Sequence, residues 1–282
     1  DTTSPHEDLV SERLETLWKL AMHARRKEAQ TETKSHVDVI LTSAATAAQR
    51  IAPPEFLLGS SFFYKKGQKI NVDLLKENLV AAGYGHVEQV MAPGEFCVRG
   101  GIVDVFPMGS AAPFRLDLFD DEIDDIRRFD TETQRSTDSI DEIRVLPGHE
   151  FPMDAESQAR FRTAWRETFA SDPNKSPVYK DMGEGLAAAG IEYYLPLFFE
   201  KTATLTDYLP ADAVIAQYGD TEAALQRFFT EITDRWKFLS HDEERPALPP
   251  ETLIDKPETF FKGLAPFAKL ILKTLPAPTP FN

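Results

Sequence analysis

Two arginines and a phenylalanine, Arg99, Arg115 and Phe119, have the residue types and spacing of a protein-recognition site. A guanidinium group forks onto carboxylates, and an aromatic ring supplies contact area at a low loss of side-chain entropy, so both are enriched at interface centres. In the stretch PFRLDLF, strand alternation sends Arg115 and Phe119 to the face opposite Phe114 and Leu116. A large aromatic ring therefore lies beside an arginine on the face expected to be polar.

The neighbouring stretch GEFCVRGG brings the second arginine to the same place. Its alternation sends Phe96 and Val98 to one face and Arg99 to the other, so Arg99 and Arg115 are expected to share an exposed sheet face. Two interpretations are open on this evidence. Either a partner protein covers the face, or the face packs on a neighbouring domain and Phe119 is core.

Motifs for catalysis or metal binding are missing from the chain. No GxxxxGK run followed by Ser or Thr is present, and the nearest glycine run, MGEGLAAAG at 182–190, follows no strand of useful length. Ser240, His241 and Asp242 are consecutive, so their side chains diverge and cannot form a triad. The acidic run at 120–125 lacks the spacing of a calcium loop and indicates a hairpin turn. We expect no catalytic residue, metal or cofactor in this segment.

Composition limits the kind of partner. The 282 residues suggest two compact units, and a formal net charge of −15 gives little driving force for binding DNA. The apolar runs are too short to cross a bilayer, and DTTSPHEDLV does not resemble a secretion signal. One cysteine, Cys97, permits no internal disulfide, which suits a reducing compartment. We expect a cytoplasmic protein that does not associate with a membrane.

The elements before residue 55 form part of an α/β layer. A helix is predicted from about Ser4, as its cap, to His23, with its apolar face on Val10, Leu14 and Leu17. The run VDVILTS is typical of a buried parallel strand, and TSAATAAQRI is predicted to be helical. This pattern lacks the beginning of such a layer.

Two prolines in PPEFLLG break the preceding helix, and the pattern after them is one of short strands and turns. This change predicts a domain boundary near residue 55. One helix follows, capped by Asn71, anchored by Leu75 and Leu79, and ended by Gly83. A mostly antiparallel sheet is expected to lie over this helix. It is predicted from the run EFCVRGGIVDVFP and the strands FRLDLF, IDDIRRF and DEIRVLP.

Helical spacing returns after PGHEFPMD. It marks one helix through Phe161, Trp165 and Phe169, and another that begins after Asp220 and includes Leu225. The short apolar runs AVIAQ and AKLILK are predicted to be strands among these helices. The proline-rich segments RPALPPE and PAPTPFN are predicted linkers. The fold class is therefore α/β, of the mixed α+β kind.

The runs GEFCVRGGIVDVFPMGS, PFRLDLFDDEIDDIRRFDTETQRS and LPGHEFP closely resemble the amino-terminal region of bacterial transcription-repair coupling factors. That family is related to the excision-repair protein UvrB. The resemblance extends through YKKGQKI and AGYGHVEQV upstream and GIEYYLPLFF downstream, so it covers nearly the whole chain. It implies a degenerate helicase-like lobe in two segments, residues 1–55 and 148–282, flanking a UvrA-binding domain at 56–147.

The same resemblance assigns a role to the residues with which we began. In the family, arginines in GEF..RG and RLD.F and the phenylalanine of RLD.F contact UvrA, and these positions hold Arg99, Arg115 and Phe119 here. The resemblance thus favours the partner interpretation, with both arginines pairing with acidic groups of UvrA. Charge reversal at Arg115 is expected to weaken binding and leave folding untouched.

The expected function is a non-catalytic recruitment module that brings nucleotide excision repair to stalled RNA polymerase. By the resemblance, the full-length parent is an ATP-dependent DNA translocase that uses ATP and magnesium in its motor domains. It binds RNA polymerase and double-stranded DNA elsewhere, and masks the UvrA-binding face with its own carboxy-terminal domain. The alternatives are a UvrB-like excision-repair fragment, although no aromatic-rich hairpin for DNA is present, or a motor lobe that binds ATP or DNA.

Overall fold

A computed structural model describes residues 3–28 and 39–272. Within these residues the chain forms nine α-helices, ten β-strands and three short 3-10 segments. The helices are α1 (Glu7–Glu28), α2 (Ala44–Ala47), α3 (Pro54–Gly59), α4 (Val72–Ala81), α5 (Ala155–Thr168), α6 (Pro177–Gly183), α7 (Thr221–Leu239), α8 (Pro250–Leu253) and α9 (Pro257–Gly263). The strands are β1 (Phe62–Lys65), β2 (Gly85–His86), β3 (Glu95–Arg99), β4 (Ile102–Phe106), β5 (Phe114–Phe119), β6 (Glu122–Phe129), β7 (Ser136–Ile140), β8 (Glu142–Val145), β9 (Val214–Tyr218) and β10 (Ala268–Leu272).

The predicted first helix is present, with different ends. It continues to Glu28, past the predicted end at His23. Ser4 does not cap it: the Ser4 hydroxyl accepts the Gly190 N–H and donates to the Glu192 carboxylate, both at 2.9 Å. The Ser4 hydroxyl, which the sequence pattern predicted to cap the helix, is therefore used in hydrogen bonds to a distant part of the chain. The buried face is the predicted one, with Leu14, Leu17 and Ala21 buried and Val10 partly buried.

The strand predicted at VDVILTS is wrong over its described part, residues 39–43, which are irregular. Val39 is 83% exposed and Leu41 is 97% exposed. A buried strand needs layers on both faces, and the exposure of Val39 and Leu41 shows that this run lacks them. The helix predicted after it is present as the single turn of α2.

A six-stranded sheet occupies the middle of the chain, in the order β2-β3-β4-β5-β6-β7. Its neighbours are antiparallel except for the parallel pair β2 and β3. Helix α4 contributes Leu75 and Leu79 to the core beneath the sheet, and the Asn71 side chain caps it by accepting the N–H groups of Asp73 and Leu74. The predicted helix and its cap are confirmed.

Two features of this region differ from the prediction. The segment DEIRV forms β8, which pairs with β1 in a separate two-stranded antiparallel sheet, with Tyr64 opposite Ile143. In the central sheet the position beside β6, which was expected for DEIRV, is occupied by β7. This edge strand has no apolar alternation. Pairing partners depend on tertiary packing, which a strand pattern does not encode.

The last part of the described chain is mostly helical. Phe161 and Trp165 of α5 are fully buried, and Asp220 caps α7 by accepting the Ala223 N–H, as predicted. Strands β9 and β10 form a parallel pair. The predicted linker RPALPPE instead packs into the core through Leu248 and begins α8, while PAPTPFN lies outside the described residues.

The largest core joins the inner face of the central sheet to α1. Side chains of α1, α4 and strands β3 to β6 share one continuous buried cluster, which also contains Ile51 and Tyr208 from flanking segments. The mixed α/β class is confirmed. The division at 1–55, 56–147 and 148–282 stays a prediction. None of the described helices combines the length and the apolar character needed to cross a bilayer.

Candidate protein-binding site

The side of the central sheet that faces away from α4 carries the predicted site, and we call it the outer face. Alternation along β3 to β6 sends Phe96, Val103, Val105 and Leu116 into the core on the other side. The outer face consists of Cys97, Arg99, Ile102, Asp104, Arg115, Asp117, Phe119, Asp125 and Arg127.

Strand register sets these residues in two rows. One row crosses the sheet as Cys97, Asp104, Arg115 and Arg127, each opposite the next. The other row crosses the sheet as Arg99, Ile102, Asp117 and Asp125, again with each residue opposite the next. Asp104 and Arg115 are opposite charges directly across from each other, whereas Arg115 faces Arg127 and Asp117 faces Asp125 as like charges. The diagonal ion pair between Arg127 and Asp117 offsets this repulsion.

Asp104 is the centre of the first row. It is buried, with 1% of its surface exposed, on the central strand β4. Its carboxylate accepts hydrogen bonds from Arg115 Nε at 2.7 Å and Arg115 Nη2 at 2.8 Å, and from Arg99 Nη2 at 2.7 Å. The structure thus brings the two predicted arginines together through an aspartate that sequence reasoning missed.

The two arginines differ in exposure. The Arg99 side chain is 51% exposed, while that of Arg115 is 14% exposed. Arg115 also donates from Nη1 to the Gln134 carbonyl at 3.2 Å, and its guanidinium lies 4.9 Å from the Phe129 ring centroid. The hydrogen bond to Asp104 raises the pKa of Arg115, so its charge is fixed.

This geometry overturns one expectation about Arg115. Its expected exposure matched that of Arg99, and its charge reversal was expected to leave folding untouched. The guanidinium is instead packed against Phe129 and engaged with the buried Asp104. A carboxylate at this position would face Asp104, so we expect charge reversal to destabilise the fold as well as to affect any partner.

Phe119 is the exposed aromatic residue of the site, with 74% of its surface accessible. It ends β5 opposite Glu122, and Asp120 turns the chain into β6 with a φ of 54°. Aspartate tolerates this left-handed backbone better than most residues, which explains an acidic turn here. Asp120 and Asp121 therefore form the predicted hairpin turn, and Glu122, Asp124 and Asp125 lie on the strand that follows it.

Two cations from outside the second row form ion pairs with its aspartates. Arg127 donates from Nε to Asp117 at 3.0 Å, and Lys66 lies 2.7 Å from Asp125. Hydrogen bonds from Lys66 and Ser139 lower the pKa of Asp125. Sequence reasoning also missed these partners. The same alternation that placed Arg99 would have placed Asp104, because both lie on the outer side of one hairpin.

A small apolar cluster closes one end of the outer face. Val90, Cys97 and Phe129 are buried there, with Val87 and Phe106 packed against them. Burial raises the pKa of the Cys97 thiol, which lowers its reactivity. The outer face is thus part core and part exposed surface, and Phe119 and Arg99 lie in the exposed part.

The fold and this face define a mixed α/β protein with a sheet surface suited to protein recognition, and residues 63–151 match the family of UvrB interaction domains. The chain is similar to the transcription-repair-coupling factor of Escherichia coli, with 39% identity over 280 residues, which is 99% of this chain and 23% of that protein. It is 42% identical to the factor of Haemophilus influenzae over 90% of this chain and 21% of that protein. The factor of Bacillus subtilis is 30% identical over 74% of this chain.

These similarities confirm the resemblance predicted from the sequence. The chain carries a UvrB interaction domain and is homologous, over most of its length, to part of the transcription-repair-coupling factors. It spans 20–23% of the length of these relatives.

Proposed function

We propose that this chain is a non-catalytic recruitment module that binds UvrA through the outer face and so directs nucleotide excision repair to stalled RNA polymerase. The match to a UvrB interaction domain supports a UvrA-interacting role in repair coupling. In this proposal Phe119 contacts UvrA, binding depends on Arg99 and Arg115 of the outer face, and the chain itself needs no cofactor.

The observation that carries the proposal is the exposed ring of Phe119. It lies at the end of the strand that also holds Arg115, next to a pair of charge rows. An exposed ring gains free energy when a partner covers it, because burying apolar surface is favourable by about 25 cal/mol per Å². An arginine nearby adds directional pairing with carboxylates.

The remaining functions belong to the longer protein of which this chain resembles a part. We propose that the parent is a DNA translocase that uses ATP and magnesium, and that it contacts RNA polymerase and double-stranded DNA through other regions. Its carboxy-terminal domain would cover the outer face until the protein is engaged. A cytoplasmic location fits the same proposal.

An enzymatic role has no supporting geometry in the described residues. Among them, no group of three His, Cys, Asp or Glu side chains could hold a metal ion. One surface depression, of about 490 Å³, is lined partly by Glu156, Arg160 and Glu200, and Arg160 forms ion pairs with both glutamates. DNA binding is opposed by the net charge of −15.

The experiment that tests the proposal is a calorimetric titration of UvrA with the Phe119→Ala variant. We expect the affinity for UvrA to fall by about tenfold or more, because the ring is a hot-spot type of residue. The free energy of unfolding should change by less than about 0.5 kcal/mol, since the ring is exposed. Equal UvrA affinities for the wild type and the variant would exclude this face as the site.

A matched control is available in Phe238, which is 82% exposed on α7, outside the central sheet. Phe238→Ala removes the same chemical group from a different surface. It should leave the UvrA affinity at the wild-type value. A loss equal to that of Phe119→Ala would show that exposed phenylalanines act here by nonspecific adhesion.

A further inference from the structure

The two arginines of the outer face do not offer a partner the same number of hydrogen-bond donors. Arg115 uses Nε and Nη2 on Asp104 and Nη1 on the Gln134 carbonyl. Each nitrogen of its guanidinium is therefore engaged inside the chain. Only 14% of the side chain is exposed, which leaves little room for a further carboxylate.

Arg99 has the opposite arrangement. It donates to Asp104 from Nη2 alone, and its Nε and Nη1 atoms have no hydrogen-bond partner among the residues that the structure describes. The side chain is 51% exposed. A guanidinium held at one nitrogen and open at the others can still receive a carboxylate in the forked geometry.

Asp104 connects the two arginines. Its Oδ1 atom is bound by Arg115, while Oδ2 is shared by Arg115 and Arg99. Because the carboxylate is buried on a central strand and fixed by two bonds to Arg115, the third bond fixes one end of the Arg99 guanidinium. A side chain oriented before binding loses less conformational entropy when the partner arrives.

We propose that Arg99, and not Arg115, is the arginine that contacts the partner's acidic group, that Asp104 is the positioning residue that orients Arg99, and that Arg115 acts through Asp104. This division of roles rests on the proposed function of the outer face. It predicts a partner surface with one carboxylate for Arg99 and an apolar recess for Phe119. A second carboxylate opposite Arg115 is not required.

Arginine labelling tests the proposal on the unmodified protein. Phenylglyoxal reacts with accessible guanidinium groups, and peptide mass spectrometry reads the modification at each arginine. We expect Arg99 to react in the free chain and to be protected when UvrA is bound. Arg115 should remain unmodified in both states. Reaction at Arg115 that UvrA suppresses, or full reaction at Arg99 in the complex, would overturn the proposal.

A double-mutant cycle tests whether Asp104 works through Arg99. The variants are Arg99→Gln, Asp104→Asn and their combination, each titrated with UvrA after circular dichroism has shown that it is folded. Arg99→Gln should weaken binding by about tenfold or more. Asp104→Asn should weaken binding several-fold in the wild-type background and have no further effect when Arg99 is already replaced.

A merely structural role for Asp104 gives a different result. Its replacement would then lower the UvrA affinity by the same factor whether or not Arg99 is present, and that additivity contradicts positioning. Salt dependence supplies a second measurement. Arg99→Gln should make the affinity less sensitive to ionic strength, because an ion pair at the interface is lost.

The outcomes separate this proposal from the one on which it rests. If the wild-type chain does not bind UvrA, the proposed function fails and the roles assigned here fail with it. If the wild type binds UvrA and Phe119→Ala weakens binding, but labelling protects Arg115 or the cycle is additive, the docking face stands and the division of roles is wrong.

Discussion

At the scale of single residues, Arg115 is of a type that is common at protein interfaces, but its contacts in this structure stabilise the fold. Its guanidinium pairs with the buried Asp104 and stacks near Phe129, so it neutralises a carboxylate that the fold has removed from water. Removing one member of a buried pair leaves the other without compensation, and this is far more destabilising than losing a surface pair. The effect of a substitution on folding must therefore be measured before its effect on a partner is interpreted.

We predict that Arg115→Glu lowers the free energy of unfolding by about 3 to 5 kcal/mol, because it places a second carboxylate beside a buried one. Chemical denaturation followed by circular dichroism measures the change. Arg128→Glu on the same strand pair is the control, since Arg128 is 46% exposed and pairs with the exposed Asp138. That variant should lose less than about 1 kcal/mol. Equal stability of Arg115→Glu and the wild type would show that Asp104 does not need its partner.

At the scale of secondary-structure elements, Tyr84 joins three parts of the central region. Its buried hydroxyl donates to the Leu146 carbonyl at 2.7 Å and accepts the Met108 N–H at 3.0 Å. Met108 follows β4 and Leu146 follows β8, while Tyr84 itself follows α4. Met108 and Leu146 also pair with each other in an isolated antiparallel bridge, and the hydroxyl connects Tyr84 to that pairing.

We predict that Tyr84→Phe destabilises the chain by about 2 kcal/mol, because it removes both hydrogen bonds of a buried hydroxyl, each worth about 1 kcal/mol. Thermal unfolding measures the effect. Tyr193→Phe removes the same hydroxyl from a side chain that is 45% exposed, and it should change stability by less than about 0.5 kcal/mol. If both variants unfold at the same temperature, the bridge at Tyr84 contributes nothing.

Sequence patterns predicted those elements whose signals are local. The helix between Asn71 and Gly83 has its cap, its apolar spacing and its terminating glycine within a short stretch, and all three are observed. The alternation in β3 and β5 likewise assigned the two faces of the sheet. Residue 119 was placed outside on this basis, and the Phe119 ring is exposed.

Elements that depend on distant partners could not be read in the same way. The segment DEIRV has a strand pattern, but its pairing with β1 depends on which edge is free in the folded chain. The apolar run at 39–43 has a strand composition without layers to cover it. Asp104 was missed because an acidic residue between valines has no conspicuous motif, although its face follows from alternation.

At the scale of the whole molecule, the chain crosses from the central sheet into its last part through a close backbone contact. The Gly148 N–H donates to the Ala82 carbonyl at 2.6 Å, and a Cβ added at Gly148 would lie 2.7 Å from the Gly83 oxygen. Only glycine fits this approach without displacement of the backbone. His149 follows directly, with its ring stacked on Phe151 at 5.0 Å.

His149 makes this crossing sensitive to acid. Burial lowers its pKa from 6.5 to about 4, since a charged imidazole loses its hydration between Gly83 and Phe151. The unfolded chain takes up the proton at a higher pH than the folded chain does. Stability is therefore unaffected by this group above pH 6.5 and falls as the pH decreases from 6.5 towards about 4.

We predict that His149→Phe, which keeps an aromatic ring and cannot titrate, reduces the loss of stability between pH 7 and pH 5 by about 2 kcal/mol relative to the wild type. Denaturant unfolding at the two pH values measures the difference, and subtraction removes the contribution of other titrating groups. His241→Phe, at an exposed histidine, should retain the wild-type pH dependence. If His149→Phe and the wild type lose the same stability on acidification, His149 is protonated in the folded chain and the crossing between sheet and helices is open to water.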